Sequence, residues 1–413
     1  MNEAARGQTP PAGARETTAA RLAGLAAALR EGEGWWRPRP FVDEPRWVAS
    51  HPAIAAWCES LDEAAVAAIE ADAWPDDAPA PLLDWRRRLA ELTALPAAGG
   101  TWTLSTSSFP APVAVPERKA QQIAAFVSAL ADAPRQLPRR VVDWCGGKGH
   151  LGRALGARWG VPVTVIDRAP ALIAEAEVLA RRDGVVLTGV VTDALSDGVR
   201  RFDHGALGVG LHACGTLGQR LLERAVAEDA AAVALAPCCL HKVPGLHDTG
   251  YRPVSAAGRG RDPGLDHAAL RLATADEVIA RASLRRGRQR ESAFRLGFDR
   301  LARAAGREGY TPLGVVPSVW FSDFADFAER VAARDGIALP ARWDAAAAEA
   351  DGWRLARRAR ALGLVRGLFR RAIEIWVALD RVAWLEEQGL AASASIFAPR
   401  AVTPRNVLII ARR

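Results

Sequence analysis

Apolar and polar positions alternate with different periods along the chain. In "TAARLAGLAAALREG", Leu22, Leu25 and Leu29 recur at helical spacing. A tryptophan-rich stretch broken by "RPRP" and "PAAGG" follows, up to Trp102, and reads as short helices and loops. "VPERKAQQIAAFVSALADA" predicts a helix with Pro116 near its start. From Arg140 short apolar runs alternate with helical patterns. "VVDWC", "VPVTVID", "VVLTGVVTD", "GALGVGLHACG" and "AAVALAPCC" read as five strands. "GHLGRALGARWG", "APALIAEAEVLARRDG" and "TLGQRLLERAVAEDA" read as the helices between them, the first two closed by Gly160 and Gly184. This order predicts an α/β fold: a parallel, doubly wound, Rossmann-like sheet with helices on both faces.

The rest of the chain is mostly helical until two final strands, "ASASIF" and "NVLIIARR". The last helix, "FRRAIEIWVALDRVAWLEEQG", repeats apolar residues at Phe369, Ala372, Trp376, Leu379 and Ala383 and stops at Gly389. The expected organisation is a disordered tail (1–18), an N-terminal helical unit (19–112) and the Rossmann-like core (113–250). A mostly helical insertion (251–389) and a terminal β-hairpin that completes the sheet (390–413) follow. The tryptophans of the N-terminal unit, seven of the chain's 14, read as core.

At 413 residues the chain has ample length for a buried core. No apolar run approaches the roughly 18 residues that span a bilayer. The polar, Pro/Gly-containing start lacks the apolar region of a signal peptide. The expectation is therefore a soluble cytoplasmic protein without a membrane partner, its oligomeric state left open. The 54 basic residues exceed the 47 acidic ones by +7, which favours an anionic partner only weakly. Almost all the basic residues are arginine, and the three lysines, Lys119, Lys148 and Lys242, all lie near the motifs considered next. Five cysteines, an odd number, argue against a disulfide framework.

The loop after the first strand, "VVDWCGGKGHLG", admits three readings. A P-loop needs a hydroxyl after its lysine, and Gly149 stands there. A dinucleotide loop fits the spacing of Gly147, Gly149 and Gly152, with Asp167 20 residues after Gly147. Asp143 opposes it, because a strand leading into such a loop is normally apolar and an unpaired buried carboxylate is costly. A ligand with an ammonium and a sulfonium and no phosphate, S-adenosylmethionine, supplies the missing cation. Asp143, Asp167 and Asp193 then stand at the ends of three consecutive strands, for the methionine end, the ribose hydroxyls and the adenine amino group respectively. Taken singly, Asp167 and Asp193 also read as strand-end caps.

These stretches, "VVDWCGGKGHL", "VTVIDR", "VVTDAL", "LHACG" and "PCCLHK", resemble the motifs of class I S-adenosylmethionine-dependent methyltransferases. More narrowly they resemble the branch of the methyltransferase-like 25 proteins and the glutathione-S-transferase C-terminal-domain-containing protein, and more distantly a tRNA 2′-O-methyltransferase. "LDRVAWLEEQG" and "TPRNVLIIA" resemble the ends of the methyltransferase-like 25 group. The likeness covers residues 113–250 and 369–413. It implies a cofactor site built from Asp143, Cys145, Gly146, Gly147, Gly149, His150, Asp167, Arg168, Asp193, Ala194 and Leu211. Cys145 departs from the pattern, since many class I enzymes have the first loop glycine there.

The expected reaction is in-line methyl transfer to an oxygen or nitrogen, on RNA (tRNA or rRNA) or a ribosome-associated protein. The candidate catalytic residues are His212, Cys214, Cys238, Cys239 and His241. His212 is the base candidate by position, or else holds the loop backbone. Asn-Pro-Pro-Tyr is absent after the fourth strand, which disfavours amine methylation by that route. Cysteines after the fourth and fifth strands leave open a C5-pyrimidine RNA methyltransferase with a cysteine nucleophile. Cys145, His150, His212, Cys214, Cys238, Cys239 and His241 share one sheet edge, yet no C-x-x-C spacing pins a metal, and none is expected. A catalytically idle interaction module and an NAD-linked oxidoreductase are the rivals. Arg259, Arg261, Arg285, Arg286, Arg288 and Arg290 form either a phosphate-binding stripe or a solvated surface. Asn406 either caps the turn between the last strands or meets the acceptor pocket.

Overall fold

The structure, a computed structural model, describes residues 17–98, 115–131, 137–197, 201–243, 245–275 and 281–413. The expected N-terminal tail falls almost wholly outside the described residues, as does Trp102. Seven strands form one sheet: β1 (Arg140–Trp144), β2 (Val163–Asp167), β3 (Leu187–Val191), β4 (Ala206–Ala213), β5 (Ala232–Pro237), β6 (Ala391–Ile396) and β7 (Val407–Arg412). Their order is β3-β2-β1-β4-β5-β7-β6. The first five are mutually parallel, and β7 runs antiparallel between β5 and β6. This is the Rossmann-like sheet with a terminal hairpin that the sequence predicts. Strand order reverses between β1 and β4, so the loops after those strands diverge and open a crevice at their carboxyl ends.

Successive residues of each central strand enter opposite cores. Val142, Ile166, Val233, Leu235 and Ile409 join one cluster with Leu22, Leu25, Leu29 and Trp376. Val141, Val165, Val209, Ala234 and Leu408 join the other with Phe126, Leu151 and Ile173. Burial on both faces explains why these strands read as continuous apolar runs.

The helix Thr18–Glu31 buries Leu22, Leu25 and Leu29 completely, and Thr17 caps it by accepting from the Ala20 amide. Trp36 and Trp47 are buried, as expected of core tryptophans. The insertion has an aromatic core of its own, Phe294, Phe298, Phe324 and Phe327, held by the helices Ala282–Ala304 and Phe324–Asp335. The helix Arg370–Glu387 departs from its expected single stripe. It is buried almost all round, including Glu374, Asp380 and Arg381. It packs on β6 and β7 while the helix Thr18–Glu31 covers its other side. Among the described residues no helix is long and apolar enough to cross a membrane.

Candidate functional site

β1 delivers Asp143 to its carboxyl end, where the residue is 2% exposed. Its Oδ2 accepts from the Gly152 amide at 2.8 Å, and among the described residues no other donor bonds this carboxylate. Burial pushes its pKa up to about 6, against the pull of the Gly152 amide and the Lys119 charge. The loop then closes tightly around it. A Cβ at Gly146 would lie 2.6 Å from the Asp143 carboxylate, so only glycine fits. Cys145 has a left-handed φ of 56°, a conformation usual for glycine. Burial, and then the charges of Asp167, Asp143 and Asp193, push its thiol up to about 12, so it stays protonated.

Asp167, half-buried at the end of β2, accepts from the Gly147 amide at 3.0 Å and from the Ala169 amide at 3.0 Å. Each oxygen keeps a lone pair for a further donor. Asp193 is exposed and accepts from the Leu195 amide at 2.9 Å, so it does cap its strand end. Ala194 is buried beside it, Leu211 is half-buried, and Arg168 is exposed. Gly149 precedes the helix His150–Trp159 as its N-cap residue. The His150 ring turns inward, its Nδ1 accepting from Arg153 at 2.7 Å, and burial lowers its pKa to about 4. Lys148 pairs with Glu175 at 2.6 Å.

A second group of candidate residues gathers where β4 and β5 end. A register shift between Leu211 and Ala213 gives His212 a positive φ of 65°. His212 Nε2 meets Gln122 Oε1 at 3.0 Å. Burial lowers its pKa to about 4, helped by Lys119, Arg405 and Arg118. The His212 carbonyl accepts from two thiols, Cys214 at 3.4 Å and Cys238 at 3.2 Å. Cys214 Sγ and Cys238 Sγ are 2.9 Å apart. The sulfurs of Cys214, Cys238 and Cys239 all lie within 4.8 Å of one another, near enough to share one ion. The neighbouring Cys238 thiol, the Cys239 thiol and Lys242 bring the Cys214 pKa down to about 6, despite burial. Cys238 is pushed upward by donating to Cys214 and by burial. Gly215, with φ 51°, lets the two loops meet, because a Cβ there would collide with the Lys242 carbonyl.

His241 is not part of this cluster: its Nδ1 meets Thr274 Oγ1 at 3.1 Å and its ring packs edge-on against His267. Asn406 caps the terminal turn, its Nδ2 donating to the Ala398 carbonyl at 3.0 Å. The sequence reading missed Gln122, one turn beyond Lys119 on the helix Glu117–Ala131. Its only signal was its place on the helix preceding β1.

The three aspartates and Cys214 all lie close enough to act on the Cys145 thiol, so acids and thiols gather at one edge of the sheet. One under-satisfied buried carboxylate suits a cationic ligand, and two further carboxylates suit hydroxyl and amino donors.

Residues 118–245 match a family model described as a methyltransferase domain. No curated protein matches the chain. Among solved structures, the Pyrococcus abyssi tRNA (uracil-54, C5)-methyltransferase in complex with S-adenosyl-L-homocysteine is similar at 20% identity over 29% of each chain, with a TM-score of 0.24. A Geobacter sulfurreducens S-adenosylmethionine-dependent methyltransferase in complex with S-adenosyl-L-homocysteine is similar at 20% identity over 29% of this chain and 47% of its own, with a TM-score of 0.23. Coclaurine N-methyltransferase, bound to N-methylheliamine and S-adenosyl-L-homocysteine, is 11% identical over 53% of this chain and 58% of its own, with a TM-score of 0.26. The chain thus spans less than half the length of the first two proteins.

Proposed function

We propose that this chain, whose residues 118–245 match a methyltransferase-domain model, is an S-adenosylmethionine-dependent methyltransferase that methylates RNA. The observation that carries the cofactor site is Asp143, a buried carboxylate with one amide partner inside a glycine-tight loop. In this reading Asp143 holds the ammonium of the methionine end. Asp167 takes the ribose hydroxyls and Asp193 the adenine amino group. Cys145, Gly146, Gly147, Gly149, Ala194 and Leu211 line the ligand, while Arg168 borders it and His150 holds the loop through Arg153. When bound, the cofactor supplies a methyl group already activated by its sulfonium. The protein then mainly aligns the acceptor.

The RNA reading rests on three exposed cations: Lys119, which acts on Asp143, Lys242, which acts on Cys214, and Arg168, next to Asp167. Likeness to the methyltransferase-like 25 branch and its tRNA-modifying relative adds to it. Isothermal titration with S-adenosylhomocysteine tests the site: Asp143→Ala and Asp167→Ala should each weaken binding roughly tenfold or more. Incubating the protein with methyl-labelled cofactor and total RNA or protein tests the acceptor. Label in protein alone would overturn the RNA reading, and label in neither would favour an idle module.

The reading with an oxygen or nitrogen acceptor needs a base, and His212 is a weak one while its pKa sits near 4. A second reading is favoured by the Cys214 thiol, held near pKa 6 beside Cys238. Here the Cys214 thiolate adds to C6 of a pyrimidine and makes C5 nucleophilic. After C5 has taken the methyl group, a base removes the C5 proton and the thiolate leaves. A 5-fluoropyrimidine RNA would trap the protein covalently if this holds, and Cys214→Ser would abolish the trapped species. Label appearing on oxygen or an exocyclic nitrogen would return the assignment to the first reading.

A further inference from the structure

The backbone that runs from Cys214 into Gly215 and Thr216 also walls a second cavity, of about 350 Å³. Val243, Tyr251, Arg252 and Arg381 line it too, and none of Asp143, Asp167 and Asp193 does. Arg381 rises from the helix Arg370–Glu387 and is only 3% exposed. Its Nε is buried without a hydrogen-bond partner. Among the described residues no carboxylate pairs with it. Its neighbour Asp380 is already committed, accepting from Tyr251 Oη at 2.9 Å, the Val254 amide at 2.8 Å, the Ser255 amide at 3.1 Å and Ser255 Oγ at 2.6 Å.

A guanidinium cannot shed its proton to escape burial, as a lysine can. Among the described residues the adjacent acid, Asp380, is spent on other donors, so an anion in the cavity would give this guanidinium an acceptor that Asp380 does not supply. Two other features suit an anion there. The twelve-residue helix Thr216–Ala227 begins at the cavity, with Gly215 as its N-cap, so its positive dipole end faces the same space. Arg252 is exposed and adds a second guanidinium to the lining.

We propose that this cavity binds a phosphate-type oxyanion, with Arg381 as its buried anchor and Arg252 as a second, exposed cation. The volume admits a phosphoryl group together with part of the molecule that carries it. The same chemistry serves free inorganic phosphate or a terminal phosphate of a nucleic acid. The inference does not depend on methyl transfer, and its test reads binding alone.

The full chain is titrated with inorganic phosphate by calorimetry, and its thermal unfolding is compared in phosphate and in chloride at equal ionic strength. Phosphate should bind with measurable heat and raise Tm. Arg381→Met should bind roughly tenfold to hundredfold more weakly, the loss of charge-assisted hydrogen bonds. Arg252→Ala should weaken binding less. Absence of phosphate heat in the unsubstituted chain, or undiminished binding by Arg381→Met, overturns the proposal. Should Arg381→Met fail to fold, hydrogen exchange of the Gly215 amide, which lines the cavity, reads the same contact. Phosphate should slow that exchange, and unchanged exchange would likewise overturn the site. Displacement of phosphate by a 5′-phosphorylated oligonucleotide but not by its 5′-hydroxyl counterpart identifies a substrate phosphate as the source. Displacement by neither identifies free phosphate.

Discussion

Asp143 is the residue on which both the proposed cofactor site and a pH dependence turn. Its carboxyl group titrates near 6 in the folded chain against an ordinary value of 3.8. The folded state therefore holds more protons than the unfolded state between those values. The contribution of Asp143 to stability is present below pH 4 and is lost as pH rises through 6. Asp143→Asn should therefore gain stability relative to the unsubstituted chain over that interval, then level off. Urea unfolding at several pH values reads the difference. A cationic ligand favours the ionised form, so binding near pH 6 should release a proton, visible in calorimetry as a dependence on buffer ionisation heat. Cys145 makes the complementary case for backbone. A left-handed residue other than glycine costs roughly 1–2 kcal/mol, which Cys145→Gly relieves and glycine's extra unfolded freedom partly offsets. Cys145→Gly should thus change stability by less than about 1 kcal/mol, whereas the β-branched Cys145→Val should cost more than that. This position answers to φ and packing. It is not one of the three clustered sulfurs.

Elements place these residues, and some elements were easier to read than others. The strands ending in Asp143, Asp167 and the "LHACG" and "PCC" motifs were plain, because two-sided burial makes short apolar runs between glycine-marked turns. The cysteine cluster was legible only as shared position on one sheet edge. Its 2.9 Å contact depends on the β4 register shift and on Gly215 approaching the Lys242 carbonyl. Gly215→Ala should part these loops, raise the Cys214 pKa and slow its alkylation by iodoacetamide near neutral pH. The helix Arg370–Glu387 illustrates the opposite limit. Periodicity marked one apolar stripe, but charged residues on its other sides are buried too, since a helix crosses it where solvent was expected. Asp380 there organises residues 251–255 through four hydrogen bonds. Asp380→Ala leaves those donors unpaired and should cost at least about 3 kcal/mol, with faster hydrogen exchange confined at first to that segment.

At the scale of the molecule, the chain carries a net charge of +7, and nearly all its basic residues are arginine. Arg285, Arg286, Arg288 and Arg290 stand exposed on the helix Ala282–Ala304. If RNA is the substrate, its binding should weaken steeply with salt, and replacing these four arginines with alanine should flatten the slope of log K against log salt. An unchanged slope would assign them to solubility alone. The sequence by itself determined the doubly wound sheet, its terminal hairpin and the strand-end aspartates. Each follows from local periodicity, from glycine at turns, or from a charge that has no place inside an apolar strand. Tertiary structure alone decided which groups meet. The turn of His212 toward Gln122, the exclusion of His241 from the thiols and the burial of Arg381 beside a cavity all depend on contacts between residues distant in the chain. A sequence carries no distance between such residues until the sheet and its covering helices have packed.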